Sequence, residues 1–373
     1  MKTLAVGIFF LKIIYFFIKL SNPTRDQITF ISRQDSGYSL DMDLEVSYLK
    51  ENYPEIKTVI LYKKLGKSLS SRLSYISHIF TQMTNIARSK VVVLDGYCIA
   101  ISVLNHKHDL TVVQMWHALG SLKKFGYSIL DQKEGRSSKI SKVMRMHHNY
   151  DYILASSPVA AENFREAFNA RKDQMMVLGL PRMDYLQSKE VKEKIRKKYY
   201  EIYPEANNSL PTVLYGPTMR IGKEADYQSL VDNLDLHKYN LMIKLHDGKE
   251  LVYVQGKLID RGINFAGIEA LHLADYFISD YSAMIYEAAL CRLPIYLYVY
   301  DYDEYMKSRG LYLDFMKEMP GFISKDIHEI VNAIDHQVND NQRIDGFLQR
   351  YITNRNENIT AALGKFLAEK CED

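Results

Sequence analysis

Four short stretches carry residue types that can move a proton or hold a phosphate. The first runs Gln114-Met115-Trp116-His117-Ala118-Leu119-Gly120-Ser121-Leu122-Lys123-Lys124. A histidine closing an apolar run, with Gly120 to let the backbone turn, can take a proton from a hydroxyl. Lys123 and Lys124 can meet phosphate. The same residues also read as a satisfied structural histidine packed beside Trp116, the chain's only tryptophan. In the second stretch, Leu241 to Asp247, an apolar run ends in His246 with Lys244 two residues earlier. His246 can donate to a phosphate oxygen, or it is a strand-terminal histidine with no duty. The third stretch is Ala274 to Glu287. Ser279 and Asp280 are residue types that cap helix N-termini. Free N–H groups near Ser282 and Ala283 would form an anion site suited to a diphosphate, and Glu287 can accept from a ribose hydroxyl. An ordinary cap without a ligand is the alternative. In the fourth, Leu214 to Arg220, a Gly-Pro turn presents Thr218 and Arg220. Arg220 can fork onto phosphate oxygens or make a surface salt bridge.

Something must hold these stretches in place, and the hydropathy pattern says what. Short β-branched runs alternate with helical segments. The runs at Gln27–Ser32, Lys57–Tyr62, Lys90–Asp95, Thr111–Trp116, Asp151–Ala155 and Met175–Leu178 predict one set of strands. Thr212–Tyr215, Asn240–His246, Asp275–Ser279 and Pro294–Val299 predict a second set. Helices are predicted between them, for example at Ser157–Asn169, Ala225–Leu236 and Ser282–Cys291. This rhythm is that of parallel βαβ units, so the fold class is α/β. Strand density drops across 183–210, where a charged run (Lys189–Lys198) precedes a loop rich in Pro and Asn. The predicted organisation is a membrane-associating helix (1–22), a Rossmann-like domain (23–187), a linker (188–210), a second Rossmann-like domain (211–340) and a helical tail (341–373). Open α/β sheets bind ligands outside the carboxyl ends of their strands. Two such domains facing a cleft suit a nucleotide-activated donor on one side and an acceptor on the other, although fold alone names no reaction.

Composition narrows the classes. The chain has 373 residues, 47% apolar and 25% charged, and a net charge of +3. These values exclude a disordered chain, a fibre and a polytopic membrane protein. The charge balance is too even for a chain that lives on nucleic-acid phosphates. Cys98, Cys291 and Cys371 lie far apart, so no disulfide framework is expected and a reducing compartment fits. His106 and His108, and His147 and His148, lack the carboxylate spacing of a zinc helix. No metal site is assigned, and with no P-loop, GxGxxG or GxSxG pattern, no cofactor either.

Leu4 to Leu20 is nearly all apolar, broken by Gly7, Lys12 and Lys19. As a helix it reaches roughly 25 Å, short of a ~30 Å hydrocarbon core. Lys12 at its centre costs about 3 kcal/mol of insertion. Lys12 and Lys19, seven apart, share a helix face. A helix lying in the interface, lysines toward anionic head groups, fits better than a span. A helix buried in the core is the remaining reading. The basic run at 189–198 reads as a solvated helix face or as a second lipid contact.

Taken in order, these stretches resemble the CDP-glycerol glycerophosphotransferase family of teichoic acid synthesis. The resemblance rests on Trp116-His117 with Leu122-Lys123-Lys124-Phe125-Gly126, Ser156-Ser157-Pro158, Gly179-Leu180-Pro181-Arg182-Met183-Asp184, Leu214 to Arg220, Lys244-Leu245-His246 and Ser279-Asp280-Tyr281-Ser282. Tyr302-Asp303-Glu304-Tyr305 and Arg309 to Phe315 follow. The chain departs from the family pattern at Ala118, where Gly is usual, at Met219, where Trp is frequent, and at Asp247, where Pro is common.

The resemblance implies two Rossmann-like domains of the GT-B type and a place at the cytoplasmic face of the cell membrane. It implies transfer of glycerol phosphate from CDP-glycerol to a hydroxyl of a lipid-linked saccharide acceptor, with release of CMP. CDP-ribitol is the alternative donor. A nucleotide-sugar 2-epimerase of the same architecture and a non-catalytic nucleotide-binding protein are the more distant readings. On this view His117 and His246 are catalytic. Thr218, Arg220, Lys244, Ser279, Asp280, Ser282, Ala283 and Glu287 hold the donor, and Trp116, Lys123 and Lys124 meet acceptor or phosphate.

Overall fold

The computed structural model describes residues 2–34, 36–66, 68–220, 225–244, 265–308 and 310–372. By internal contact it divides into two units. The first comprises 1–117, 125–182 and 356–373, and the second 118–124 and 183–355.

The first unit opens with α1 (Lys2–Ser21), β1 (Arg25–Ser32), α2 (Leu40–Asn52), β2 (Lys57–Tyr62), α3 (Leu69–Arg88) and β3 (Ser89–Leu94). It continues with α4 (Ile99–Val103), β4 (Thr111–Gln114), α5 (Ser138–Val143), β5 (Tyr152–Ala155), α6 (Pro158–Phe168) and β6 (Met175–Val177). Its six strands are parallel, in the order β2-β1-β3-β4-β5-β6. The central strands are buried on both faces, which is why they read as continuous runs such as Val91-Val92-Val93 rather than alternating ones. Edge strand β2 is half-exposed. Local chemistry sets the helix ends. Ser157 Oγ accepts from the Ala160 N–H at 3.1 Å with Pro158 in the first turn, and Asn169 closes α6 in the left-handed region (φ 53°).

In the second unit come α7 (Arg182–Gln187, whose first residue belongs to the first unit), α8 (Lys189–Ile202), β7 (Thr212–Gly216), α9 (Gln228–Asn233), β8 (Asn240–Ile243), α10 (Gly267–Leu271) and β9 (Tyr276–Ser279). Then follow α11 (Met284–Leu290), β10 (Ile295–Tyr298), α12 (Tyr302–Ser308), α13 (Phe315–Glu318), β11 (Phe322–Ser324), α14 (Ile327–Asp335) and α15 (Asn341–Tyr351). Its sheet is parallel, in the order β11-β10-β9-β7-β8. The last helix, α16 (Ile359–Glu372), returns to the first unit and packs on α2, β1 and β3. Two parallel sheets flanked by helices make a GT-B-like two-domain fold, with an apolar N-terminal helix and a helical C-terminal segment.

Each sheet has a point where the strand order reverses, between β1 and β3 in the first unit and between β7 and β9 in the second. These are the positions where doubly wound sheets open a crevice at their carboxyl ends. β4 stops at Gln114 rather than at the predicted Trp116, because Trp116 turns to φ 61° and leaves the ladder. β8 ends at Ile243; Leu245 and His246 of that predicted strand lie outside the described residues.

Candidate functional site

In the first unit, the switch point gathers residues that follow β1, β3 and β4. Trp116 carries the bulkiest side chain in a left-handed conformation, which costs on the order of 1–3 kcal/mol unless its surroundings hold it. They do. Its N–H donates to Gln114 Oε1 at 2.9 Å, and Gln114 Nε2 donates to the Gly96 carbonyl at 3.0 Å. Its ring stacks on Phe125 (4.9 Å, 14°) and meets the edge of Phe168 at 5.1 Å. This turn delivers His117, whose ring lies 4.0 Å from that of Trp116.

His117 Nδ1 sits 2.8 Å from the Asp95 carbonyl oxygen, and the Gln34 side-chain amide is 3.1 Å from the same nitrogen. The carbonyl can only accept and is the nearer partner, so the ring proton is assigned to Nδ1 and the lone pair to Nε2; the Gln34 nitrogen, itself a donor, then makes no hydrogen bond to Nδ1. Burial pushes the His117 pKa down to about 4; the Asp95 carbonyl and Asp41 pull it up, and Arg182 pulls it further down. The ring is therefore neutral at pH 7, with one nitrogen able to accept a proton. The Trp116 packing predicted for a structural histidine is present together with the tautomer a base requires.

Three neighbours of His117 escaped the sequence reading as site residues. Asp95 is buried, and burial pushes its carboxyl up to about 6. Asp41, at the start of α2, takes the Arg182 backbone N–H at 2.8 Å and its Nε at 2.9 Å, forming a buried ion pair. Asp95 and Gln34 stand just past strand ends at the reversal point, and that position was a usable signal. The pairing of Asp41 with Arg182 carried none.

At the switch point of the second unit, the described residues are locked by charge. Arg220 Nη1 donates to Asp280 Oδ2 at 2.7 Å and to the Thr218 carbonyl at 3.0 Å. Its Nε and Nη2 donate to the two oxygens of Asp301 at 2.7 and 3.0 Å. The guanidinium lies 4.8 Å from the Tyr300 ring centroid, and the two carboxylates raise its pKa further despite burial. Asp280 Oδ1 accepts from the backbone N–H groups of Thr218 (2.8 Å) and Tyr281 (2.6 Å). Tyr281 donates to Asp301 Oδ1 at 3.2 Å and stacks on Tyr305 at 3.7 Å.

These placements correct several expectations. Arg220 forks onto Asp301 rather than being held ready for a phosphate, and the ion pair is interior rather than a surface one. Asp280 is fully buried and organises the two loops. Ser279 is equally buried and donates to the Gly216 carbonyl at 2.7 Å. Glu287 is 3% exposed inside α11, so it is not presented to a ribose. Lys244 donates to the Phe265 carbonyl at 2.9 Å. The helix expected to start near Ser282 starts at Met284 and has seven residues, and Ser282 Oγ already accepts from the Met284 N–H at 3.2 Å. Its N-terminus is a weak anion site.

Other expected residues do come together. Ala118–Lys124 packs in the second unit: Lys124 N–H donates to the Gly310 carbonyl at 2.9 Å, and Tyr312 N–H to the Leu122 carbonyl at 3.0 Å. A side chain at Gly120 would overlap the Tyr286 ring, so only glycine lets this segment settle. Lys123 Nζ thereby reaches Thr218 Oγ1 at 3.4 Å and sits 5.5 Å from the Tyr305 ring centroid. Thr218, on the loop that follows β7, is tied through its N–H to Asp280 on the loop that follows β9, where Ser282 and Ala283 are half-buried. An ammonium and two hydroxyls in such a place can receive a phosphate oxygen.

Comparison with known proteins fits this geometry. Residues 14–367 match the family described as CDP-glycerol:poly(glycerophosphate) glycerophosphotransferase. The teichoic acid ribitol-phosphate primase of Bacillus spizizenii is 31% identical over 357 residues, covering 92% of this chain and 91% of that one. The teichoic acid glycerol-phosphate primase of Bacillus subtilis is 26% identical over 359 residues, covering 89% of each. The solved structure of the wall teichoic acid polymerase TagF, as a His-to-Asn variant soaked with CDPG, has a TM-score of 0.78 at 19% identity. It covers 97% of this chain and 93% of that one, a likeness of fold.

Proposed function

Because the chain belongs to the CDP-glycerol:poly(glycerophosphate) glycerophosphotransferase family, we infer that it transfers glycerol phosphate from CDP-glycerol to a hydroxyl of a lipid-linked acceptor. The observation within the molecule that supports this reading is the 2.8 Å contact of His117 Nδ1 with the Asp95 carbonyl, an acceptor that favours the proton on Nδ1 and the lone pair on Nε2. The acceptor hydroxyl gives its proton to Nε2 as its oxygen attacks the β-phosphorus in line. The bond from that phosphorus to the bridging oxygen breaks, and CMP leaves with the bridging oxygen. Positioning and charge stabilisation dominate such transfers. Lys123, Thr218 and Ser282, together with His246, hold the diphosphate. Arg220 keeps the Thr218 and Tyr281 loops in place through Asp280 and Asp301. A diphosphate brought near His117 raises the pKa of its imidazolium, which strengthens the base where it is needed. The reaction takes place at the cytoplasmic face of the cell membrane, where α1 associates.

A second reading is favoured by one comparison: a relative at 31% identity is a ribitol-phosphate primase, so CDP-ribitol is the competing donor. One experiment separates them. Purified protein is offered equal CDP-glycerol and CDP-ribitol with a lipid-linked disaccharide; CMP is quantified and the lipid weighed by mass spectrometry. CMP with a gain of one glycerol phosphate is the expected result. Ribitol phosphate masses establish the second reading, and folded protein that releases no CMP from either donor overturns both.

A further inference from the structure

The carboxyl edge of the first sheet holds an arginine that the donor chemistry does not use. Arg33 follows directly on β1, whose Ile31 stands opposite Leu94 of β3. Its Nη1 donates to the Tyr97 carbonyl at 3.0 Å, and its guanidinium lies 5.6 Å from the ring centroid of Tyr75 on α3. Its Nε is buried without a hydrogen-bond partner, and among the described residues no carboxylate pairs with the group. The arginines that follow β6 and β7 differ: Arg182 holds Asp41, and Arg220 holds Asp280 and Asp301. Arg33 is half-buried at a reversal point of the sheet and lacks the anion the other two possess. Such a guanidinium can fork onto an anion that arrives from outside.

A second arginine adjoins it. Tyr97 Oη donates to the Met144 carbonyl at 2.9 Å, which seats the end of α5 on the loop that follows β3. Arg33 and Arg136 both act electrostatically on Tyr97. Arg136 is exposed and, like Arg33, makes no ion pair with a described residue. Its segment, 131–145, carries Lys133, Arg136, Lys139, Lys142 and Arg145 against Asp131 and Glu134, and Asp131 Oδ1 already accepts from the Ser138 N–H at 2.9 Å. His117 belongs to the same place. The Asp95 carbonyl that meets its Nδ1 and the Tyr97 carbonyl that takes Arg33 stand two residues apart on one loop. The His147 ring bridges them, 5.9 Å from that of Tyr97 and 6.3 Å from that of Trp116. Positive charge is thus gathered beside the histidine that takes the acceptor's proton.

We propose that Arg33 and Arg136 bind a phosphate group of the acceptor and so hold its hydroxyl at His117. This rests on the reading of His117 as the base for a lipid-linked acceptor, and adds that the acceptor is recognised through an anion as well as through its hydroxyl. The phosphate has two sources: the linkage between lipid and saccharide, or a polyol phosphate set on the saccharide by an earlier transfer of the same kind. A forked guanidinium takes either.

Three soluble disaccharides with a short alkyl chain serve as probes: one joined to the chain through a diphosphate, one joined directly, and one joined directly and carrying glycerol phosphate. Binding of each to full-length protein is measured by titration calorimetry without donor, and CDP-glycerol is titrated separately. Wild type is expected to bind one phosphate-bearing probe at least about tenfold more tightly than the probe without phosphate, and which one it is identifies the source. Arg33→Gln, folded by circular dichroism, is expected to weaken that probe about 10- to 100-fold while CDP-glycerol affinity is retained. Arg33→Lys should recover part of the loss. Arg136 is exposed, so Arg136→Gln tests the site even where Arg33→Gln does not fold, with a smaller loss in the same direction. In turnover the effect should fall on the acceptor KM rather than on the donor KM. Equal binding of all three probes by wild type overturns the proposal, as does an Arg33→Gln chain that keeps the preference. A loss that is the same for all three probes also overturns it and leaves Arg33 a structural residue. Arg33-dependent binding in a protein that releases no CMP from either donor upholds the phosphate site and removes the transferase reading instead.

Discussion

At the end of β4 in the first unit, an uncharged histidine is held by a backbone carbonyl and a tryptophan ring. At the end of β7 in the second, a guanidinium is held by two carboxylates. Both places are reversal points of parallel sheets; the guanidinium is buried and the histidine half-buried. On the proposed function the difference follows from what each group does. A group that gains and loses a proton has to be supported by partners that tolerate either state, and neutral dipoles do so. A group that must only keep loops in register is best fixed by charges, because moving it would strand buried carboxylates.

The contrast can be broken at either end. His117→Ala removes the proton acceptor and leaves the second unit untouched. Turnover should fall by roughly 10²–10⁴-fold with CDP-glycerol affinity retained. Steady-state CMP release and equilibrium titration of the donor check this, and an unchanged turnover sinks the base assignment. Arg220→Ala does the reverse. It leaves Asp280, fully buried, facing Asp301 without a cation, and should cost about 3–5 kcal/mol of unfolding free energy. Chemical denaturation measures it, and a midpoint equal to that of wild type would mean that the lock holds nothing.

The smallest effect sharpens the comparison through pH. Burial depresses His106 and His117 to about 4 and His147 to about 3 in the first unit, and His272 to about 4 in the second. The unfolded chain takes up these protons near pH 6.5, before the folded one can. The histidines' contribution is thus complete above that pH and is lost as the pH falls from about 6.5 toward 4. Three of the four lie in the first unit, which should loosen first. Hydrogen exchange at pH 7.5 and 5 reads this directly; equal loosening of both sheets would count against it.

Most of the strand frame was legible because buried parallel strands are written as uninterrupted β-branched runs, as in Val91-Val92-Val93. β11 was not, because Phe322-Ile323-Ser324 is too short to show a period. The site divides along the same line. His117, Lys123 and Thr218 announce themselves by type and by their place after a strand. Asp41 and Arg182 meet across 141 positions, and no local spacing encodes such a meeting. The inward turn of Asp280 and Arg220 was missed for a related reason. Sequence shows that a carboxylate and a guanidinium stand at loop starts, but not that Asp301 arrives from a third loop to satisfy the guanidinium first.

The return of α16 to the first unit has a consequence for how the molecule is made. Leu363, Leu367 and Cys371 complete a core whose β1 and β3 leave the ribosome far earlier. At about 5–20 residues per second, synthesis of the intervening second unit keeps that sheet waiting on the order of ten to thirty seconds. During this interval the faces of β1 and β3 that α16 covers stand open, with the exposed Phe9, Phe10 and Phe17 of α1 in the same half-built unit. Early capture of the nascent chain at a lipid surface, or by a chaperone, would shield both until the closing helix arrives.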